Sequence, residues 1–362
     1  MDLAQVIESY GELLEQRYHQ RMLPSHHRTL NAIMACRKDC GEAIAQCKTC
    51  ATQTTYPLSC GNRSCPKCQN GDTTAWINRQ SSKLLPVPYF MVTFTLPQEL
   101  RNTAWCHQKT VYAAMFKAAV DTLKTFGLNP KQLGADIGFT GVLHTHNRRL
   151  DYHPHLHFIV PGGGIDNSDK KKRWRRVKNQ YLFNGVALSE VFRGKLMYEL
   201  ISLEIDLPPK LPTKWVVHCK YTGKGLSALK YLSRYLYRGV ITKNRILNDR
   251  DGKITFSYKE SKTDTTKTRT LKGEDFLWLV LQHVLPKGFR RIRDYGFLHS
   301  NAKKKLNLVQ LILSVKIPAN PTVVRNKICC RVCDKPMLVH VVRNTIRSYK
   351  IAIARKLKFE GT

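Results

Sequence analysis

The stretch His153-Pro154-His155-Leu156-His157-Phe158-Ile159-Val160-Pro161-Gly162-Gly163 decides how the rest of the chain is read. It has the form of a short strand running into a glycine turn. Side chains alternate faces along a strand, so His153, His155 and His157 point one way. Leu156, Phe158 and Val160 supply the apolar side that would anchor the strand in a core. Two imidazoles at alternate positions of a buried strand can hold one divalent cation and leave positions open for substrate. One histidine in such a place is usually an ordinary packed side chain. Three in alternation favour metal ligation.

The neighbouring segments supply partners for this strand. Ile137-Gly138-Phe139-Thr140-Gly141-Val142-Leu143-His144 has strand character, and the polar link 145–152 turns it back into the histidine strand. The two should pair antiparallel, which makes His144 and His146 candidates for a third ligand, with a surface or supporting role as the alternative. Tyr89 to Leu96 is β-branched and aromatic, and Pro97 stops it, so it reads as a central strand. Between them, residues 104–126 place Tyr112, Met115, Phe116, Val120 and Leu123 on one side of an amphipathic helix.

Downstream, Gly162-Gly163-Gly164 reads as a turn. The run Lys170-Lys171-Lys172-Arg173-Trp174-Arg175-Arg176 carries six positive charges and one indole. Lys171, Lys172, Arg173 and Arg175 would suit a DNA backbone and Trp174 a stacked base; a solvated loop is the plain alternative. A helix over 188–204 and a short strand over 215–219 follow. The segment from Ala228 to Gly239 has no breaker before its last residue and reads as a helix. Tyr231 and Tyr235, four residues apart, share one of its faces, while Leu229, Leu232 and Leu236 take the packed side. Arg234 and Arg238 add phosphate-binding charge. Beyond them, Arg245 to Lys259 reads as a hairpin turning at Asp251-Gly252, Thr266 to Leu271 as a further strand, and Phe276 to Leu281 as a buried helix. Arg290, Arg291 and Arg293 form another basic cluster.

Ahead of the first strand lie two helices, over 2–22 and 26–35, and then a crowd of cysteines. Cys47-Lys48-Thr49-Cys50 and Cys65-Pro66-Lys67-Cys68 are two Cys-x-x-Cys knuckles separated by fourteen residues. Four thiolates on two tight turns suit tetrahedral Zn²⁺, whereas a redox dithiol needs no second knuckle. Cys36, Cys40 and Cys60 are left over; Cys36 and Cys60 are possible second-site ligands, with His26 or His27 as companions, or simple packing residues. Cys330-Arg331-Val332-Cys333 stands alone near the C-terminus, and two ligands do not fill a tetrahedral site.

Composition limits the function classes. The chain has 362 residues, 42% of them hydrophobic, enough for two or three domains with real cores. Lys and Arg outnumber Asp and Glu by 60 to 26, a formal charge of +34, and the excess is spread along the chain. A polyanion partner, nucleic acid above all, is the simplest cause. No apolar run approaches the ~20 residues that span a bilayer. The opening Met1-Asp2-Leu3-Ala4 lacks signal-peptide character, so a bacterial-type cytosol with nucleoid association is expected, with its cysteines kept for metal.

The order of these features is more specific than any one of them. Cys47-x-x-Cys50, the run Ser59 to Gln69, Phe94-Thr95-Leu96-Pro97, Leu143-His144-Thr145-His146, His153-Pro154-His155-Leu156-His157, Val160-Pro161-Gly162-Gly163, Tyr231-Leu232-x-Arg234-Tyr235 and the segment His283 to Gly296 together resemble the two-tyrosine transposases of the insertion-sequence 91/801 family. These belong to the HUH endonuclease superfamily, named for two histidines flanking a hydrophobic residue. The resemblance covers about residues 30–300. One departure is Ser64, where the family pattern has histidine.

The resemblance implies an α+β fold with an antiparallel-sheet HUH nuclease domain at 86–300, a helical and zinc-binding DNA-recognition domain at 1–85, and a basic tail at 301–362. It implies cleavage and joining of single-stranded DNA at transposon ends. Tyr231 and Tyr235 would be the nucleophiles, giving a 5′-phosphotyrosine, and His155 and His157 would hold Mg²⁺ or Mn²⁺. Three other classes are compatible with parts of the pattern. They are a plasmid rolling-circle initiator or relaxase, a non-catalytic zinc-dependent DNA-binding protein derived from a transposase, and a metallohydrolase using His153, His155 and His157. The last leaves the charge unexplained.

Overall fold

A computed structural model of the protein describes residues 1–68, 76, 79–168, 172–225, 240–260, 263–315 and 328–343. Its centre is a five-stranded antiparallel sheet. The strands are β3 (Pro88–Thr95), β4 (Phe139–His146), β5 (Tyr152–Pro161), β8 (Val217–Lys224) and β12 (Ile292–Tyr295), in the order β12-β4-β5-β3-β8. The histidine stretch is thus the middle strand. Register decides what each face carries. Leu156 lies opposite Leu143 and Phe94, and Phe158 opposite Gly141 and Val92. That face, with Phe90 and Val160, is sealed by α4 (Gln108–Leu128) and α5 (Gly185–Ser202). The expected helix face of Tyr112, Met115, Phe116, Val120 and Leu123 is buried there.

The opposite face is divided. Tyr89, Met91, Val142 and Ile159 are covered at one end by Phe297, Leu298 and Val309, the last from α7 (Lys303–Ile312). The other end bears Thr93, Thr95, His144, His155 and His157, by the same register.

Helix α1 (Leu3–Tyr18) starts in a capping box: Asp2 accepts the backbone N–H groups of Ala4 and Gln5, and Gln5 returns a bond to the Asp2 N–H. Leu3, Val6, Ile7, Tyr10 and Leu14 are buried, while Leu13 faces out. Short α3 (Arg101–Cys106) follows β3. The inner face of α1, with α2 (Pro24–Ala35), packs on α6 (Gly273–Leu281) and on the sheet of β9 (Ile246–Arg250), β10 (Lys253–Lys259) and β11 (Thr266–Lys272). Tyr10 donates to Asp249, Tyr18 donates to Asp275 at 2.7 Å, and Arg17 pairs with Glu274 and Asp275. The N-terminal helices therefore dock on residues 240–284, across the boundary expected near residue 85. The β9–β10 hairpin turns at Asp251-Gly252, both at positive φ (52° and 70°), as a two-residue primed turn requires.

One expectation is corrected here. The glycine run is no turn: β6 (Gly163–Asp166) pairs with β7 (Arg173–Arg176). Glycine is needed because a Cβ on Gly163 would lie 2.6 Å from the Trp174 ring, and one on Gly164 would lie 2.6 Å from the Asp136 carbonyl oxygen. Within the segment read as a basic tail, β13 (Met337–Arg343) pairs antiparallel with β1 (Glu42–Cys47), whose other edge holds β2 (Gln53–Pro57).

Candidate metal centres and DNA-processing site

Adjacent strands bring three histidines together. His144 on β4 lies directly opposite His155 on β5, and His157 follows two residues on along the same face. One ring nitrogen from each of His144, His155 and His157 lies within 4.8 Å of the others. The ring centroids are 4.7 to 5.3 Å apart. Supporting bonds fix which nitrogens face inward. His155 Nδ1–H donates to the His153 carbonyl at 2.6 Å, which leaves Nε2 with a free lone pair. His157 Nδ1 lies 2.9 Å from Thr93 Oγ1, so the tautomer that donates there also presents Nε2. Burial, more than any neighbour, holds His155 down to about 4 and pushes His144 and His157 well below the ordinary imidazole value. All three are therefore neutral at pH 7, the form that ligates metal.

The third-ligand candidates separate. His144 belongs to the trio; His146, past a register shift in β4, turns toward His283, with ring centroids 5.0 Å apart. His153 is outside the trio as well: its Nδ1 accepts from Arg101 at 2.6 Å, while its carbonyl steadies His155. Among the described residues the donor set consists of imidazoles alone. That fits a divalent transition ion, Mn²⁺ included, better than Mg²⁺, which prefers oxygen ligands. Arg101 and Arg291 bring positive charge to these rings; the Arg291 Nε donates to the Leu143 carbonyl at 3.0 Å.

The thiols group differently from the sequence expectation. Cys47 and Cys50 do not meet Cys65 and Cys68. Instead Cys65 and Cys68 join Cys36 and Cys60, and Cys47 and Cys50 join Cys330 and Cys333, each set within 4.8 Å. The reason is topological: β1 carries Cys47 alongside β13 and so toward the C-terminal knuckle. In the first set Cys36 Sγ is 3.4 Å and Cys60 Sγ 3.5 Å from Cys68 Sγ, too far for a disulfide. Hydrogen bonding from Cys60 holds the Cys65 thiol down to about 5, whereas burial pushes Cys36 up to about 11. Such sharing of negative charge among close sulfurs suits one Zn²⁺. Cys40 stands apart and donates to the Ala35 carbonyl. His26 packs between Trp105 and Trp278, and His27 lies near Glu15, so neither completes a thiol site.

The basic run also divides. Trp174 is half-buried and packs edge-on against Phe297, and Arg175 bonds Asp166 at 2.7 Å. Both take part in the β6–β7 hairpin. Lys172, Arg173 and Arg176 are exposed. Lys171, Tyr231, Arg234, Tyr235 and Arg238 lie outside the described residues.

Residues 6–96 match a family described as "Transposase zinc-binding domain" and residues 138–305 one described as "Putative transposase". The chain is 33% identical over 343 residues to "Putative transposase y4qJ" of Sinorhizobium fredii (strain NBRC 101917 / NGR234), a match covering 88% of this chain and 85% of that one. The chain is a transposase of the insertion-sequence 91/801 family. The transposase is also 31% identical over 260 residues to the "Transposase for insertion sequence element IS801" of Pseudomonas savastanoi pv. phaseolicola, covering 66% of this chain and 61% of the other. Among solved structures, the metal-free conjugative relaxase TrwC in complex with oriT DNA overlays on 63% of the transposase and 72% of its own chain, at 14% identity and a TM-score of 0.27. No described helix of the transposase is long and apolar enough to cross a membrane.

Proposed function

We propose that the transposase nicks and rejoins single-stranded DNA at transposon ends through a 5′-phosphotyrosine, with His155, His157 and His144 holding a divalent cation. The observation that carries this reading is the meeting of three neutral imidazoles at one end of the central sheet, in a chain of transposase family. Bound there, Mg²⁺ or Mn²⁺ would polarise the scissile phosphate and offset charge in the transition state. The hydroxyl of Tyr231 or Tyr235 attacks phosphorus, the 3′-oxygen leaves with a proton, and the 5′ end remains as an aryl phosphate ester. That ester keeps the bond energy, so a 3′-hydroxyl can reverse the step without a nucleotide. Two nucleophiles let one hold a strand while the other cuts the next.

β8 pairs with β3 and ends opposite Pro88, away from the histidines. Ile241 shares a buried cluster with Leu150, whose carbonyl accepts from His283 beside His146. Cys36, Cys60, Cys65 and Cys68 hold a structural Zn²⁺ that orders the N-terminal region for recognition of the DNA end.

The test is incubation with a labelled single-stranded transposon end and Mn²⁺, followed by denaturing electrophoresis. A covalent adduct is expected from the natural protein and none from Tyr231→Phe/Tyr235→Phe or His155→Ala/His157→Ala. An adduct that persists in the tyrosine double variant sinks the assignment. Tight binding with no adduct from the natural protein would mark a non-catalytic DNA-binding protein.

A further inference from the structure

The C-terminal knuckle has a twin. Cys47 donates its N–H to the Thr52 carbonyl and accepts from the Ala51 N–H; Cys330 does the same with Lys335 and Asp334. The residue four past the first cysteine has positive φ in both, 57° at Ala51 and 55° at Asp334. Each knuckle then enters a strand, β2 in one case and β13 in the other. The Cys65–Cys68 knuckle lacks this pattern: Cys65 donates to Asn62 and Cys68 to Cys65. The sulfurs of the twins interlock reciprocally, Cys47 to Cys333, Cys50 to Cys330 and Cys50 to Cys333, each at 3.5 Å. That is far outside the ~2.05 Å of a disulfide and near the ~3.8 Å edge of a tetrahedron with zinc–sulfur bonds of ~2.3 Å.

The surrounding sheet needs such a centre. Among the described residues, the cluster under β13-β1-β2 buries Ala45, Cys47, Cys330 and Met337, with Tyr56, Ile328 and Cys333 packed partly buried against them. A three-stranded sheet with so small a core does not hold itself together without a staple.

We propose that Cys47, Cys50, Cys330 and Cys333 form a second, Cys₄ structural zinc site that fastens the C-terminal strand to the N-terminal domain. It joins knuckles 280 residues apart and makes the zinc-binding region a product of both ends of the chain. Cys36, Cys60, Cys65 and Cys68 form a separate site, so the protein carries two thiolate-bound ions.

Full-length protein exchanged into Co²⁺ reads this directly, because the cobalt–thiolate charge-transfer band reports sulfur ligands and is blind to the histidine trio. The band should fall to about half in Cys330→Ser/Cys333→Ser and to the same level in Cys47→Ser/Cys50→Ser. Combining all four changes should cause no further loss, since the pairs share one ion. The surviving half also shows that the other thiol site is intact and the chain folded. Should the serine variants aggregate, Cys333→His keeps four ligands, so two thiol-site ions per chain should remain on metal analysis with a weakened band. An undiminished band in Cys330→Ser/Cys333→Ser, a band abolished by the fourfold change, or Cys47–Cys333 and Cys50–Cys330 disulfides in the natural protein would each overturn the proposal.

Discussion

At the scale of single residues, the trio depends on atoms that touch no ion. Thr93 Oγ1 at 2.9 Å from His157 Nδ1 sets the tautomer and tilt of that ring. Replacing Thr93 with Val keeps the shape and removes the partner. Supporting groups of this kind are worth about 10–100-fold in metal affinity. Thr93→Val should therefore raise the Mn²⁺ concentration for half-maximal cleavage by that factor and recover near-natural rates at saturating Mn²⁺. A lower rate at every Mn²⁺ concentration, with unchanged half-saturation, would count against the positioning role. His26 acts on stability instead. It is fully buried between Trp105 and Trp278, and burial, with His27 adding a little, holds it down to about 4. The unfolded chain, with an ordinary value near ~6.5, takes up the proton first. The stability owed to neutral His26 is thus complete above about pH 6.5 and is lost as pH falls toward about 4. At ~1.36 kcal/mol per pH unit the loss approaches about 3 kcal/mol. Urea unfolding at pH 7 and 4.5 should show a smaller acid loss in His26→Phe than in the natural protein, and the comparison cancels the other imidazoles that titrate in this window.

At the scale of elements, the alternation in β5 was enough to place His155, His157 and the Leu156 face, because a strand has only two sides and one must be apolar. The choice between His144 and His146 needed the register of β4 against β5, and a register shift between those two residues hides it from any reading by spacing. The glycines were misread for a related reason. Turn and close approach use the same residue, and only packed neighbours distinguish them. Gly141 is such a case: on β4 opposite Phe158, an added Cβ would fall inside the Phe158 ring contact. Gly141→Ala should lower stability by about 1–3 kcal/mol through overpacking. Gly194, inside α5 with open space around it, gives the contrast. Gly194→Ala should raise stability by about 0.5–1 kcal/mol, since it lacks the clash and gains helix propensity. Thermal denaturation of the two variants separates these effects; equal shifts would mean that neither argument describes its site.

At the scale of the whole molecule, the thiol sets were beyond sequence spacing because each knuckle is locally complete and silent about its partner. Long-range strand pairing decides the matter, and β1 chooses β13 across nearly the whole chain. Charge is the property most legible from composition: +34 pointed to a polyanion before any strand was placed. What composition could not say is which cations are free to meet it. Arg175, itself exposed, pairs with Asp166, while Lys172, Arg173 and Arg176 stand exposed on and beside β7. Each phosphate contact with a single strand contributes about 0.7 to the slope of log affinity against log salt. Neutralising Lys172, Arg173 and Arg176 to Gln should therefore reduce that slope by about 2 if all three meet the backbone. Arg175→Gln should leave the slope nearly unchanged and instead loosen the hairpin, read as a lower melting temperature. Binding isotherms for a single-stranded transposon end at several salt concentrations make the measurement. If the triple variant keeps both affinity and slope, the run is a solvated surface, and the DNA path must be sought among the arginines near the histidine trio, Arg101 and Arg291.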